Sequence, residues 1–207
     1  MTEDSAAPRP ILILPRSVLG ETVIFASAEE KHGARYFLAR ALLHALAPCS
    51  PPLCASPDEN SITLNKGLLG APTLILGDEQ GPCLSFCHGE GRLWAAMSRK
   101  RVGIDVAYPE EFAGSYPFAR VFRPEEMDCA GVLCRGDTAR GAALLWSAKE
   151  ASVKATGTGF NIFDPFKVRV GAPVLGEQGL FLEVFADQPI SVWARPEGRG
   201  WLSVALA

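Results

Sequence analysis

A carboxylate and an ammonium set at helical spacing are the first chemistry this chain offers. In Trp146-Ser147-Ala148-Lys149-Glu150-Ala151-Ser152-Val153-Lys154, the residues Trp146, Glu150 and Lys154 fall at i, i+4 and i+8. On a helix they share one face, with Lys149 beside them. Upstream, Val102-Gly103-Ile104-Asp105-Val106 is an apolar, strand-like run with one acid inside it. A carboxylate buried in a strand costs several kcal/mol unless it is paired, hydrogen-bonded or bound to a metal. Asp105 and Glu150 are hard oxygen donors. Two such carboxylates suffice for a Mg2+ ion whose remaining ligands are water and substrate phosphate. The same spacing also describes an exposed Glu–Lys pair worth a few tenths of a kcal/mol, with Trp146 in the core. Asp105, for its part, can cap a turn before Pro109.

The element that must carry Glu150 and Lys154 is a helix. From Thr138 to Thr156 the chain has no Pro, only Gly141, and many Ala, Leu, Lys, Glu and Arg. Asp137 or Thr138 can cap its start, and Gly157 stands where it should stop. A second long helix is expected over Ala28–Ala47, ended by Pro48. Pro124–Ala130 reads as a short helix. Strands are expected at Ile11–Leu14, Glu21–Phe25, Thr73–Leu76, Cys83–Cys87, Leu93–Met97 and Val102–Val106. Further strands are expected at Lys167–Val170, Leu180–Ala186, Ile190–Ala194 and Trp201–Leu206. Gly89–Gly91 reads as a hairpin turn, Pro109–Pro117 as loop, Pro51–Asn60 as exposed loop, and residues 1–10 as a frayed end.

These residues carry a resemblance. Gly103-Ile104-Asp105-Val106, then about forty residues, then Trp146-Ser147-Ala148-Lys149-Glu150-Ala151 with Lys154 following, resembles the signature of the 4′-phosphopantetheinyl transferases. The match is to the surfactin-synthetase-activating type, in the branch with Trp and Lys-Glu-Ala in its second motif. Leu84-Ser85-Phe86-Cys87-His88-Gly89 resembles that family's strand ending in a His near the CoA phosphates. Arg35 and Arg40 resemble its basic first helix, and Val121–Glu126 its short helix start between the motifs. The resemblance runs from about residue 27 to the C-terminus.

The resemblance implies transfer of the 4′-phosphopantetheine arm of coenzyme A to a serine of an apo acyl or peptidyl carrier protein, releasing adenosine 3′,5′-bisphosphate. It implies Mg2+ held by Asp105 and Glu150, Glu150 accepting the serine proton directly or through a bound water, and Lys154 stabilising the departing or transferring phosphate. Lys149 would hold Glu150 or a phosphate, and His88, Arg40, Arg35 and Lys31 would meet the remaining CoA charges. The implied fold is α+β: two similar α+β lobes related by a pseudo-two-fold, with the ligand cleft between them. The lobes would be residues 1–101, carrying CoA phosphate contacts, and 102–207, carrying the metal and catalytic side chains. Three positions depart from the pattern. Ala107 stands where a second acid often lies. Ala71, in Gly70-Ala71-Pro72, stands where a Lys is common, with Lys66 a substitute. Cys87 stands where a Ser precedes the His. Ala71 and Ala107 keep open an alternative, a transferase-like protein that binds CoA or a carrier without transfer. A structural or interaction domain with Glu150 and Lys154 as a surface pair is the other.

Composition sets the frame. The chain has 207 residues, 48% of them apolar, enough to bury a core in one domain or two small ones. A net charge of −3 argues against nucleic acid or an anionic membrane as the main partner. Arg99-Lys100-Arg101 reads as a solvated turn between strands. No apolar run is long enough for a membrane span, and the acidic opening Met1-Thr2-Glu3-Asp4-Ser5 does not suit a secretory signal. The expectation is a cytoplasmic monomer whose six cysteines are reduced thiols. Cys83, Cys87 and His88 lack a fourth ligand at zinc spacing.

Overall fold

The computed structural model describes residues 10–49, 62–67, 70–158, 160 and 163–207. They form a mixed α/β structure that divides into two compact units, Met1–Arg99 and Lys100–Ala207. The loop expected over Pro51–Asn60 and the frayed end up to residue 9 lie outside the described residues.

In the first unit, β1 (Leu12–Leu14), β2 (Val23–Glu29), β6 (Cys83–Gly89) and β7 (Arg92–Ser98) make an antiparallel sheet in the order β1-β2-β7-β6. A short helix α1 (Arg16–Leu19) joins the first two strands. Helix α2 (Ala34–Leu46) packs on the sheet through Leu38, Leu42 and Leu46, one face at i, i+4, i+8. A separate three-stranded sheet holds β3 (Ile62–Lys66), β4 (Pro72–Leu76) and β5 (Glu79–Gln80). The hairpin β6–β7 turns at Glu90-Gly91, both with positive φ.

The helix expected over Ala28–Ala47 starts six residues later, at Ala34. Ala28 and Glu29 instead continue β2, pairing with Leu93 and Arg92. Gly33 then takes φ +81, a left-handed conformation that glycine adopts without a Cβ penalty. The stretch Ala28–His32 has good helix formers, but a ladder partner outweighs that weak preference.

In the second unit, β8 (Val102–Ala107), β9 (Arg169–Val170), β10 (Val174–Gly176), β11 (Gly179–Phe185), β12 (Pro189–Glu197) and β13 (Gly200–Leu206) form one antiparallel sheet. Its order is β10-β11-β12-β13-β8, with β9 also pairing β11. A 3-10 turn, Pro109–Phe112, and short helices α3 (Phe118–Val121) and α4 (Pro124–Leu133) precede the long α5 (Thr138–Ala155). The expected loop Pro109–Pro117 is therefore partly helical. Asp137 is the cap of α5, its carboxylate accepting the Arg140 N–H at 2.9 Å. Helix α5 lies against β8 and β13.

Close contact between α5 and β8 depends on Gly103. A Cβ there would overlap the carbonyl oxygen of Ala151 and stand 2.7 Å from the amide of Ala155. The strand that carries Asp105 thus touches the helix that carries Glu150 and Lys154, backbone to backbone. Two further lines fix their register. Ser203 on β13 pairs with Asp105 in the ladder, and its Oγ lies 2.7 Å from Oγ of Ser147 on α5.

Candidate active site

From Gly141 to Ala155, every residue of α5 is buried except Trp146, Glu150 and Lys154. The usual amphipathic helix exposes a broad polar face. Here a single line at i, i+4, i+8 is all that reaches solvent, and it is the line read from the sequence. Trp146 heads it, stacked on Phe160 with ring centroids 5.0 Å apart and 6.5 Å from Phe112.

Asp105 faces this line. It is 7% exposed, and Nζ of Lys154 lies 2.6 Å from its Oδ1. The same ammonium is 3.7 Å from Oε2 of Glu150 and donates to the Ile104 carbonyl at 3.4 Å. Both acids of the sequence motifs therefore converge on one cation. Burial pushes the Asp105 carboxyl up to about 7; Lys154 opposes that rise, while the charges of Glu150 and Glu111 add to it.

Glu111 is a residue that sequence reasoning missed. It sits in the 3-10 turn, exposed, and accepts the Tyr108 N–H at 2.7 Å. Partial desolvation raises its carboxyl, and the neighbouring Glu110 and Glu150 charges raise it further. Its signal was present in Tyr108-Pro109-Glu110-Glu111. A Pro opening a helical turn, with a Glu reaching back to the preceding amide, is a capping pattern. Arg123-Pro124-Glu125-Glu126 repeats it, with Glu126 accepting the Arg123 N–H at 2.9 Å.

Ala107, on the same strand face as Asp105, is fully buried in the apolar core that also holds Phe112 and Ala148. The position that resembles a second acid site is packing here. Among the described residues, no group of three His, Cys, Asp or Glu stands ready to hold a metal. The donor set that remains is two carboxylates around a cation. That set suits Mg2+, which keeps waters and takes phosphate oxygens. The Lys154 ammonium marks where positive charge is held between Asp105 and Glu150.

Lys149 is a correction. It was expected to hold Glu150 or a phosphate, but it is fully buried and turned away from the line of Glu150 and Lys154. Its Nζ donates to Glu126 at 2.9 Å, to the Val121 carbonyl at 2.8 Å and to the Pro165 carbonyl at 3.1 Å. Adjacent helical residues point about 100° apart, so Lys149 and Glu150 cannot share a face. Glu126 in turn accepts the Val170 N–H at 2.7 Å. The pair ties α5, α4 and β9 together. Desolvation lowers the Lys149 amine and Glu126 counters that fall.

In the first unit, three expected CoA contacts gather. Lys31, Arg35 and His88 line a pocket of about 410 Å³ with Glu30, Tyr36 and Leu64. His88 Nε2 is 3.3 Å from Glu30, Lys31 is 2.6 Å from Glu29, and the Arg35 guanidinium lies 5.6 Å from the Phe86 ring centre. Arg40 is half-buried further along α2 and does not line this pocket.

A model of the 4′-phosphopantetheinyl transferase superfamily matches residues 101–194, from the start of the second unit into β12. No curated protein matches the chain. The match spans β8 with Asp105 and α5 with Glu150 and Lys154, and it supports phosphopantetheinyl transfer as the general kind of chemistry. Among the described residues, no helix is long and apolar enough to cross a membrane.

Proposed function

We propose that this chain transfers 4′-phosphopantetheine from coenzyme A to a serine hydroxyl of an apo acyl or peptidyl carrier protein, as a transferase of the surfactin-synthetase-activating type. The observation that carries the reading is the convergence of Asp105 and Glu150 on one ammonium along the line of α5 that reaches solvent between Gly141 and Ala155. The superfamily match over the same residues supports it.

Asp105 and Glu150 would hold Mg2+, which when bound neutralises charge on the CoA pyrophosphate. The serine oxygen attacks the phosphorus next to pantetheine, and the bond to the bridging oxygen breaks. Adenosine 3′,5′-bisphosphate leaves with the bond electrons. Glu150, partly exposed at the line's centre, accepts the serine proton. Lys154, one turn on, has a flexible stem and a compact charge, and it stabilises the leaving phosphate. Asp105, fixed in the ladder, would hold the metal from the strand side. Lys31, Arg35 and His88 of the first unit contact the other CoA phosphates, with Arg40 and Lys66 as further cations. This reading assigns CoA phosphate contacts to the first unit and catalysis to the second, two α+β lobes with pseudo-two-fold kinship. The protein acts as a cytoplasmic monomer, with neither nucleic acid nor membrane as partner.

A second reading rests on Ala107. An apolar residue packed where a further acid is common favours a protein that binds CoA or a carrier without transfer. One experiment separates the two. Purified protein is incubated with CoA, Mg2+ and a panel of apo carriers, and the carriers are weighed. A mass gain of one phosphopantetheine on any carrier supports the enzyme. CoA binding with no gain on any carrier overturns it in favour of the second reading.

A further inference from the structure

Lys154 is set between two roles. It belongs to the line that would meet a phosphate, yet its ammonium lies 2.6 Å from the carboxylate a metal would need. Asp105 cannot leave. It is 7% exposed, sits inside a strand, and is held in register opposite Ser203. Lys154 can leave. Its side chain is 27% exposed, on a four-carbon stem at the edge of solvent. The movable member of the pair is therefore the cation, not the acid.

Resting on the function proposed above, we propose that Lys154 is a resident counter-ion of Asp105 which a divalent cation must displace, so that metal is taken up together with a pyrophosphate-bearing ligand rather than before it. The charges dictate the order. A cation arriving alone meets Glu150 and an Asp105 already neutralised, with an ammonium repelling it within contact distance. A pyrophosphate offers Lys154 a better-solvated partner at the surface. Once the ammonium turns to the phosphates, Asp105 and Glu150 present two unneutralised carboxylates, and the phosphate oxygens complete the coordination that Mg2+ favours. Burial penalises an Asp105 carboxylate that has lost its ammonium, so a divalent cation must take the place that Lys154 leaves.

The test is Mn2+ binding followed by the spectrum of the free ion. All proteins are compared at one pH. Wild-type protein should bind Mn2+ weakly alone and about tenfold or more tightly with saturating CoA, after subtraction of CoA's own Mn2+ binding. K154M, which keeps the apolar stem, should bind Mn2+ without CoA about tenfold more tightly than wild type. Equal wild-type affinity with and without CoA overturns the proposal, and this arm needs no variant. K154M gaining nothing also overturns it, if D105N and E150Q lose Mn2+ with CoA present; the metal assignment then survives without the competition. If D105N and E150Q lose nothing, the metal assignment fails and the proposal with it.

Discussion

Nζ of Lys154 lies 2.6 Å from Oδ1 of Asp105, across 49 residues of sequence. That contact joins the two motifs into one site, and Gly103 permits it by letting α5 rest on β8. Because the acid is nearly sealed while the lysine reaches solvent, the pair is asymmetric. Changing either member should read out differently.

Removing the carboxylates should stop chemistry and spare the fold. Glu150→Gln is expected to lower carrier modification by about 10²- to 10⁴-fold, the range for losing a positioned proton acceptor. Asp105→Asn should lower it at least as far. Mass analysis of the carrier gives the rate, and circular dichroism should be unchanged. Full activity of the Glu150 variant would sink the mechanism.

Stability should carry the signature of Asp105. Its folded-state carboxyl is raised to about 7 from an ordinary 3.8. The folded state therefore binds a proton more tightly than the unfolded state does. The stabilisation is fully present below about 4 and is lost as pH climbs through about 7. Asp105→Asn removes this dependence. Urea unfolding of both proteins should show the variant gaining on wild type by a few kcal/mol at most between about pH 4 and pH 7. A constant difference across that window would rule out the raised carboxyl.

Lys149 should behave as a structural residue. Lys149→Met leaves Glu126 buried without its cation, and such a change typically costs about 3–5 kcal/mol. The double variant with Glu126→Gln should lose less than the sum of the two single losses. A stable Lys149→Met protein with a raised KM for CoA would instead restore Lys149 as a phosphate contact.

The first-unit pocket should govern CoA affinity. Arg35→Ala and His88→Ala are each expected to raise KM for CoA by about tenfold or less, with a smaller change in kcat, since they would meet phosphates that do not react. Loss of kcat with unchanged KM would move them out of the binding role.

Gly103→Ala tests the helix–strand approach. The added methyl would overlap the Ala151 carbonyl. Forcing such a group into a packed contact costs about 1–3 kcal/mol and shifts α5 against β8. Both the unfolding midpoint and the transfer rate should fall. A neutral substitution would mean that the contact does not set the site.

The sequence alone carried the helix from Thr138 to its end near Gly157, the strand around Asp105, and the shared face of Trp146, Glu150 and Lys154. Each of these is local, because helical and strand periodicities depend only on neighbours in the chain. Tertiary structure decided the rest. It made that face the one line of α5 that reaches solvent between Gly141 and Ala155 rather than a solvated stripe, because β8, β13 and α4 cover the other sides. It turned Lys149 inward to Glu126, which helical geometry allowed but no spacing demanded. It drew Ala28 and Glu29 into β2, where a ladder partner outweighed helix preference. And it set Lys154 against Asp105, since a contact across 49 residues follows from register and packing that no local pattern encodes.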